Sequence, residues 1–446
     1  MRKCAVRVVL AWWVCCGMAV AWSAGADDVP PANIVLIMAD DLGYECIGAN
    51  GGAYATPNLD ALAAGGVRFT NCFANPLCTP SRVKIMTGLY NVRNYVKFGV
   101  LPRGEVTFAH RLKRAGYATA VAGKWQLGDK VDSPRHFGFD TSCLWQHTRK
   151  RTRAGTRIDS RFPNPLLEID GNERDFTDGE YGPQVCADFI CDFMETNRDR
   201  PFLVYYPMIL THCPFVPTPD SKDWDPTDPG SKTYKGDAKH FADMVTYMDK
   251  LVGQIVDKLE ALGLRENTLI LFTGDNGTDQ PIVTRMNGRA IEWGKGKLND
   301  AGTRVPLIAS WPRLHAAGRV SETLVDFTDI LPTLCEASGA ALPEGYPGDG
   351  VSLIPAITGA GERDKPWVYV WYRGQVMARN ETYALVGSQS GAEMRLLKYA
   401  RPYDAETLAD ADLTPQEVKT KAALQAVIDR LAATRPAELR AQTGGK

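Results

Sequence analysis

Residues 33–43 read NIVLIMADDLG. An apolar run from Asn33 to Ala39 stops abruptly at Asp40, Asp41 and Gly43. A short apolar run without polar alternation suits a strand covered on both faces. The same shape recurs along the chain. Tyr117 to Ala122 runs into Gly123-Lys124-Trp125, and Phe202 to Tyr206 comes shortly before Thr211-His212. Thr268 to Phe272 runs into Gly274-Asp275-Asn276-Gly277.

Helical periodicity lies between these runs. Val245, Met248, Val252, Ile255, Val256, Leu259 and Leu262 recur at helical spacing, with Gly263 as a stop. Phe108, Leu112 and Ala115 do the same ahead of Gly116. Buried strands alternating with amphipathic helices predict an α/β fold with a large, mostly parallel central sheet flanked by helices. In such sheets ligands gather at the carboxyl ends of the strands, where the polar residues above all fall.

The pattern changes after about residue 360. Lys365 to Tyr372 and Glu381 to Gly387 read as short antiparallel strands. Thr414-Pro415-Gln416-Glu417 is a capping box that opens a terminal helix with Leu424, Val427, Ile428 and Leu431 on one face. The expected organisation is residues 1–26 as a signal peptide, 27–360 as the catalytic domain and 361–446 as a small C-terminal subdomain.

The signal peptide rests on Arg2 and Lys3, an apolar run from about Val8 to Ala21, and Ala24-Gly25-Ala26 before Asp27. The run is too short to span a bilayer, so the chain is expected to be exported, to the periplasm or the exterior, without a membrane anchor. A net charge of -1 with evenly spread charges gives no basis for binding nucleic acid. Cys46, Cys72, Cys78, Cys143, Cys186, Cys191, Cys213 and Cys335 follow the cleavage site, and their spacing matches no zinc site. Export favours some disulfides among them.

Asp40 and Asp41 end one expected strand, and Asp275 and Asn276 end another. Each pair alone could form an ordinary turn. Together, at matching ends of strands, their oxygens suit a hard divalent cation. Residues 75–88, NPLCTPSRVKIMTG, raise a different question. Pro80 fits a first helical position, which places Cys78 just before a helix reaching about Thr87, with Gly88 ending it. Arg82 lies four residues on and returns to the same face. A helix N-terminus favours negative charge, so a low-pKa thiolate is one reading and a buried structural cysteine another.

Cys78-Thr79-Pro80-Ser81-Arg82 with Met86-Thr87-Gly88 resembles the signature of the formylglycine-dependent sulfatases. Further segments resemble that family in order: Asn33 to Gly43, Thr56 to Asp60, Gly123-Lys124-Trp125, Phe137 to Asp140, Thr211 to Pro214, Asp275 to Gly277, and Gly302 to Pro306. The resemblance covers about residues 32 to 355. It implies an alkaline-phosphatase-like sandwich with a smaller C-terminal antiparallel sheet, consistent with the pattern above.

It also implies a sulfuric ester hydrolase in which a maturation enzyme oxidises Cys78 to formylglycine. A calcium ion would be held by Asp40, Asp41, Asp275, Asn276 and residue 78. Arg82 would hold the aldehyde hydrate, Lys124 and Lys295 would bind sulfate oxygens, and His212 would bind substrate and protonate the leaving alcohol. The sequence departs from the family at Gln126, where a histidine is usual. Glutamine offers hydrogen bonds but takes no proton at neutral pH. Asp300-Ala301 also replaces the usual acidic-glycine pair.

Residues Ser133 to Asp178, with Arg149, Lys150, Arg151 and Arg153, have no recognisable counterpart. They read as a solvated basic face or as recognition of a polyanionic sugar. Among the other histidines, His110 reads as a helix-surface residue and His315 as a loop residue. The expected substrate is a sulfated carbohydrate. The alternatives are a phosphate or phosphonate ester hydrolase on the same scaffold, or a silent glycan-binding protein.

Overall fold

The Asn33–Ala39 run forms a strand near the middle of a ten-stranded sheet. The computed structural model describes residues 31–145, 152–153, 156–157, 161–314, 318–361 and 363–440. The expected signal peptide, His147, Arg149, Lys150, Arg151 and His315 lie outside the described residues, as does the side chain of Arg153.

Across the sheet the strands run Arg319–Asp326, Val67–Phe73, Leu307–Ser310, Thr268–Gly274, Asn33–Ala39, Phe202–Pro207, Ala118–Lys124, Thr141–Trp145, Leu166–Ile169 and Asn172–Asp175. The five strands from Thr268–Gly274 to Thr141–Trp145 are mutually parallel. Leu307–Ser310 and Leu166–Ile169 run against their neighbours. The mostly parallel sheet expected from the sequence is present.

Burial explains why the central runs lack polar alternation. Ile34, Leu36 and Met38 face one apolar core, and Val35, Ile37 and Ala39 face another on the opposite side. Helices Cys78–Thr87, Phe108–Arg114 and Ile330–Ser338 cover the first face. Pro57–Ala64, Gly182–Thr196 and Phe241–Ala261 cover the second. Every residue of Asn33–Ala39 is therefore buried, and from Ile34 to Ala39 its residues are apolar on both sides.

The C-terminal region forms a five-stranded antiparallel sheet, Val368–Tyr372, Gln375–Arg379, Tyr383–Ser388, Arg395–Arg401 and Asp404–Leu408. Two of these match the expected strands with later starts, Val368 instead of Lys365 and Tyr383 instead of Glu381. Lys365 is pulled out of the strand by its bonds to Asp329 and Thr328. Thr414 caps the terminal helix Pro415–Ala433 through a reciprocal bond with Glu417. Tyr369, Trp371, Ala378, Leu424 and Ile428 join the first core, so the proposed division at residue 360 separates two sheets that share one interior. Pro31–Lys446 is one compact unit.

Two expectations fail. The eight described cysteines are all free and buried, packed as small apolar side chains rather than paired. His110 is not a bare surface residue: its Nδ1 accepts from Thr107 N at 3.2 Å as part of a capping box, and its Nε2 lies 2.7 Å from the His136 carbonyl. No helix among the described residues is long and apolar enough to cross a membrane.

Candidate active site

The register of the sheet brings the distant acids together. Ala39 pairs with Gly274 at the ends of adjacent parallel strands. The next residues, Asp40 and Asp275, leave the sheet side by side, and Asp275 N donates to Ala39 O at 2.9 Å. Asp41 N donates to Asp275 Oδ1 at 3.0 Å, and Asn276 Nδ2 donates to Asp41 Oδ1 at 2.8 Å. Asp41 holds a φ of 59°, an uncommon left-handed backbone for a non-glycine residue, which turns the chain at the strand end. Asn276-Gly277-Thr278 has the form of a glycosylation sequon, but Asn276 is fully buried and so out of reach of that modification.

Cys78 is the first residue of its helix, two positions earlier than Pro80 suggested. Gly88 closes that helix in the left-handed conformation at φ 67°. Ser81 Oγ accepts from Asn75 N and donates to Asn75 O, both at 3.1 Å, and so fixes the loop that delivers Cys78. On the far side of the helix, buried Lys84 donates to Tyr369 O at 2.9 Å and pairs with Asp326 at 3.4 Å. The signature helix is thereby tied to the C-terminal sheet.

Cations ring the acids. Arg82 has no exposed surface; its Nη1 donates to Lys124 O at 2.7 Å and its Nη2 to Asp275 Oδ2 at 3.1 Å. Lys124, at the end of Ala118–Lys124, is 3 % exposed and reaches Asp40 Oδ2 at 2.6 Å, so it is not a surface lysine. Lys295 Nζ lies 2.6 Å from Asp41 Oδ2 and 3.2 Å from His212 Nε2.

Glycines make the approach of the Lys295 loop possible. A Cβ on Gly277 would meet Ala301 O at 1.7 Å, and one on Gly294 would meet Ala301 C at 1.9 Å. Lys295 N then donates to Thr278 O at 3.1 Å, which locks the loop to the Asn276 strand end. Asp300 serves this scaffold rather than the site: it pairs with Arg304 and Arg379 and accepts from Tyr403 N.

The electrostatics follow from this crowding. Burial raises the Asp275 pKa, neighbouring Asp40 adds to the rise, and Arg82 only partly offsets it, leaving the carboxyl pushed up to about 8. Burial also raises the Cys78 thiol; Lys124 opposes this, while Asp40 and Asp275 reinforce it. That contradicts a low-pKa thiolate at this helix end. His212 is 6 % exposed, and burial together with Lys295, Lys124 and Arg161 holds it well below the usual histidine range.

Ligand atoms of Asp40, Cys78 and Asp275 lie within 4.8 Å of one another, and those of Asp40, Asp41 and His212 form a second such group. Asp40 Oδ1 and Asn276 Oδ1 are buried without a hydrogen-bond partner. Orphaned oxygens beside crowded carboxylates fit a hard cation. Gln126 follows Lys124 at φ 55°, and its buried Oε1 also lacks a partner. The other nine expected site residues form one connected cluster.

A family model described as Sulfatase matches residues 32–340. The chain belongs to the sulfatase family. A second model, for the C-terminal part of N-sulphoglucosamine sulphohydrolase, matches residues 292–440. Human arylsulfatase A is 33% identical over 380 residues, covering 79% of this chain and 72% of its own. Canine N-acetylgalactosamine-6-sulfatase is 30% identical over 412 residues, covering 83% and 74%.

Among solved structures, one in complex with its substrate D-glucosamine-2-N,6-O-disulfate aligns with a TM-score of 0.72 at 21% identity, over 91% of this chain and 98% of that one. A phosphonate monoester hydrolase of Agrobacterium radiobacter aligns at 0.68 and 22%, over 91% and 96%. These two likenesses establish the fold of this sulfatase, which is alkaline-phosphatase-like. The family assignment makes the chain an enzyme that hydrolyses sulfate esters.

The motifs missed two contributors. Arg161, in a segment that showed no recognisable family motif but lies inside the matched residues 32–340, packs against His212. Tyr234, 54 % exposed, sets its ring 6.4 Å from the His212 ring. No sequence signal singles out either residue.

Proposed function

We propose that this sulfatase acts on a sulfated carbohydrate after export, using formylglycine made from Cys78 by a maturation enzyme and a calcium ion. Asp40, Asp41, Asp275, Asn276 and residue 78 would hold the ion. The observation that carries this reading is the buried convergence of Cys78 with Asp40 and Asp275 inside a ring of Arg82, Lys124 and Lys295. His212 is not assigned to the metal, because its Nδ1 faces Arg161 and a hard cation prefers oxygen.

Oxidised and hydrated, residue 78 supplies an oxygen nucleophile, and calcium supplies charge neutralisation beside it. The chain's own residues do the rest. Arg82 is locked by two hydrogen bonds and brings a permanent charge to residue 78. Lys124 and Lys295 offer ammonium donors to sulfate oxygens, in place of the carboxylates they meet here. Charge that develops on the sulfuryl group meets fixed cations in a buried setting, where such contacts are strongest. His212 Nε2 faces the same space and serves the departing alcohol oxygen. Gln126 can orient a ligand but cannot accept a proton.

The carbohydrate assignment is supported by the sulfated-sugar names of the N-acetylgalactosamine-6-sulfatase relatives and the disulfated glucosamine complex. A phosphonate ester hydrolase is not favoured, since that likeness is one of fold alone. The silent-binder alternative gives way to the family's activity. Mass spectrometry of the peptide carrying residue 78, after co-expression with a maturation enzyme, tests the modification. Desulfation of a panel of sulfated mono- and oligosaccharides tests the substrate class, and predominant phosphatase activity would overturn it; an unmodified thiol at residue 78 would overturn the modification.

A further inference from the structure

The C-terminal sheet sends one turn toward residue 78. Tyr372 pairs with Gln375, so Arg373 and Gly374 form a two-residue turn between Val368–Tyr372 and Gln375–Arg379. Their φ values of 50° and 76° are both positive, as a type I′ hairpin turn requires. Asparagine or glycine suits the first of these positions, and an arginine there is strained. Gly374 O accepts from Gln389 N at 2.7 Å, and Gln389 Oε1 accepts from Trp371 Nε1 at 2.6 Å, so the turn is braced from beside it.

Two contacts set this turn against the signature helix. Asn75, three residues before Cys78, donates from Nδ2 to Trp371 O at 2.9 Å, just ahead of Tyr372. Thr79, the residue after Cys78, accepts at Oγ1 from Gly99 N at 3.1 Å, in the loop that follows Tyr95. The Tyr95 and Tyr372 ring centres lie 6.4 Å apart, and the Arg373 guanidinium lies 5.3 Å from that of Tyr372. Burial raises the pKa of the Tyr95 hydroxyl; Tyr372 and Cys78 add to the rise and Arg373 opposes it. Burial raises that of Tyr372 as well, with Arg373 and Cys78 acting in the same senses. Arg373 and Cys78 are thus within electrostatic reach of the same two hydroxyls.

Arg373 differs from the cations already described. Arg82, Lys124 and Lys295 each meet an acid of the site. Arg373 is exposed, and among the described residues no carboxylate pairs with it. We propose that Arg373 is a specificity residue that binds a second anionic group, a sulfate or a carboxylate, on the sugar substrate. The proposal rests on the carbohydrate reading given above. A guanidinium presents a planar fork of donors that matches an oxyanion in two hydrogen bonds. Seated over the Tyr372 ring it is already partly ordered, so less freedom is lost when the anion arrives. Strained backbone of this kind persists at ligand-binding positions, where the surrounding structure holds it.

The test compares three substrates: a monosulfated neutral sugar, a disulfated sugar, and a monosulfated sugar that carries a uronate carboxylate. Wild-type protein, co-expressed with a maturation enzyme, is expected to show a kcat/KM about 5-fold higher on at least one doubly anionic substrate, the upper end for an exposed ion pair. Which of the two is preferred tells sulfate from carboxylate. The preference should lie in KM and shrink at high salt.

Arg373→Asn suits the turn and should keep the wild-type melting temperature. It is expected to lower kcat/KM on the preferred substrate about 5-fold more than on the monosulfated neutral sugar, through KM. Arg373→Lys keeps the charge without the fork and should keep part of the preference. Sugar desulfation with no preference for a second charge, or a preference that survives in Arg373→Asn, would overturn the proposal alone. Wild-type protein that cleaves nitrophenyl sulfate but no sugar sulfate would overturn the carbohydrate reading and the proposal with it.

Discussion

Lys295 Nζ lies 2.6 Å from Asp41 Oδ2, so a cation proposed to hold sulfate is paired with a carboxylate proposed to hold metal. Lys124 and Asp40 repeat the arrangement. Calcium would draw both carboxylates toward itself and free both ammonium groups for the substrate. Calcium should therefore raise the melting temperature. At a hundredfold excess over Kd the gain is about 2.7 kcal/mol. Calorimetry with calcium or with a chelator checks this, and Asp275→Asn should abolish the difference while leaving the protein folded.

Cys78 lies at a helix start, where alanine fits without strain. Cys78→Ala should retain the wild-type melting temperature within about a degree or two, since losing one small buried sulfur removes little packing. Sulfatase activity should vanish on every substrate. Residual turnover above background would remove residue 78 from the chemistry.

Gln126 occupies a left-handed position two residues after the Lys124 strand end, with its Oε1 buried and without a partner. Gln126→His places a group that can exchange protons at that spot. Steady-state kcat is expected to rise several-fold, the lower end of what acid–base catalysis contributes, with KM little changed. A fall in kcat would show that the chain is built around the amide.

Tyr234 stands half-exposed at the edge of His212, beside Lys235, which pairs with Asp279. A sugar leaving group handled by His212 would pass over that ring. Tyr234→Ala should raise KM for sugar sulfates by roughly 2–10-fold, the range of about 0.5–1.5 kcal/mol per aromatic contact. It should leave kcat on nitrophenyl sulfate unchanged. Identical KM values for both proteins on an oligosaccharide would place the sugar elsewhere.

Asp326 lies buried under the signature helix with Lys84 and Lys365. Burial alone would raise its pKa, but Lys365 and Lys84 outweigh it and hold the carboxyl well below the ordinary carboxylate range. A depressed folded pKa gives stability that is present above the unfolded value, about 3.9, and is lost as pH falls below it. The melting temperature of the wild type should drop steeply below about pH 4. Asp326→Asn should lower stability at pH 7 by about 3–5 kcal/mol, because it takes away the carboxylate paired with buried Lys84. It should also flatten the acid limb.

The motif residues were legible before any coordinates, and the reason is local. Strands buried on both faces are apolar through their middles, so Ile34–Ala39 and Leu269–Phe272 stand out, and the acids that follow them mark strand ends. Helix caps such as Thr414 and Gly88 are equally local, since a few residues satisfy the free backbone groups. The strands of the C-terminal sheet were only partly readable, because Lys365 is drawn away by Asp329, a partner 36 residues distant.

The sequence by itself determined which residues end the strands and which chemistry they could carry, because apolar runs, caps and strand ends are set by neighbours along the chain. Only the tertiary structure decided what those residues face. Parallel register places Asp40 beside Asp275, close glycine packing brings Lys295 to Asp41, and Arg161 comes to lie against His212. Such pairings depend on how separate elements pack, and spacing along the chain does not encode them.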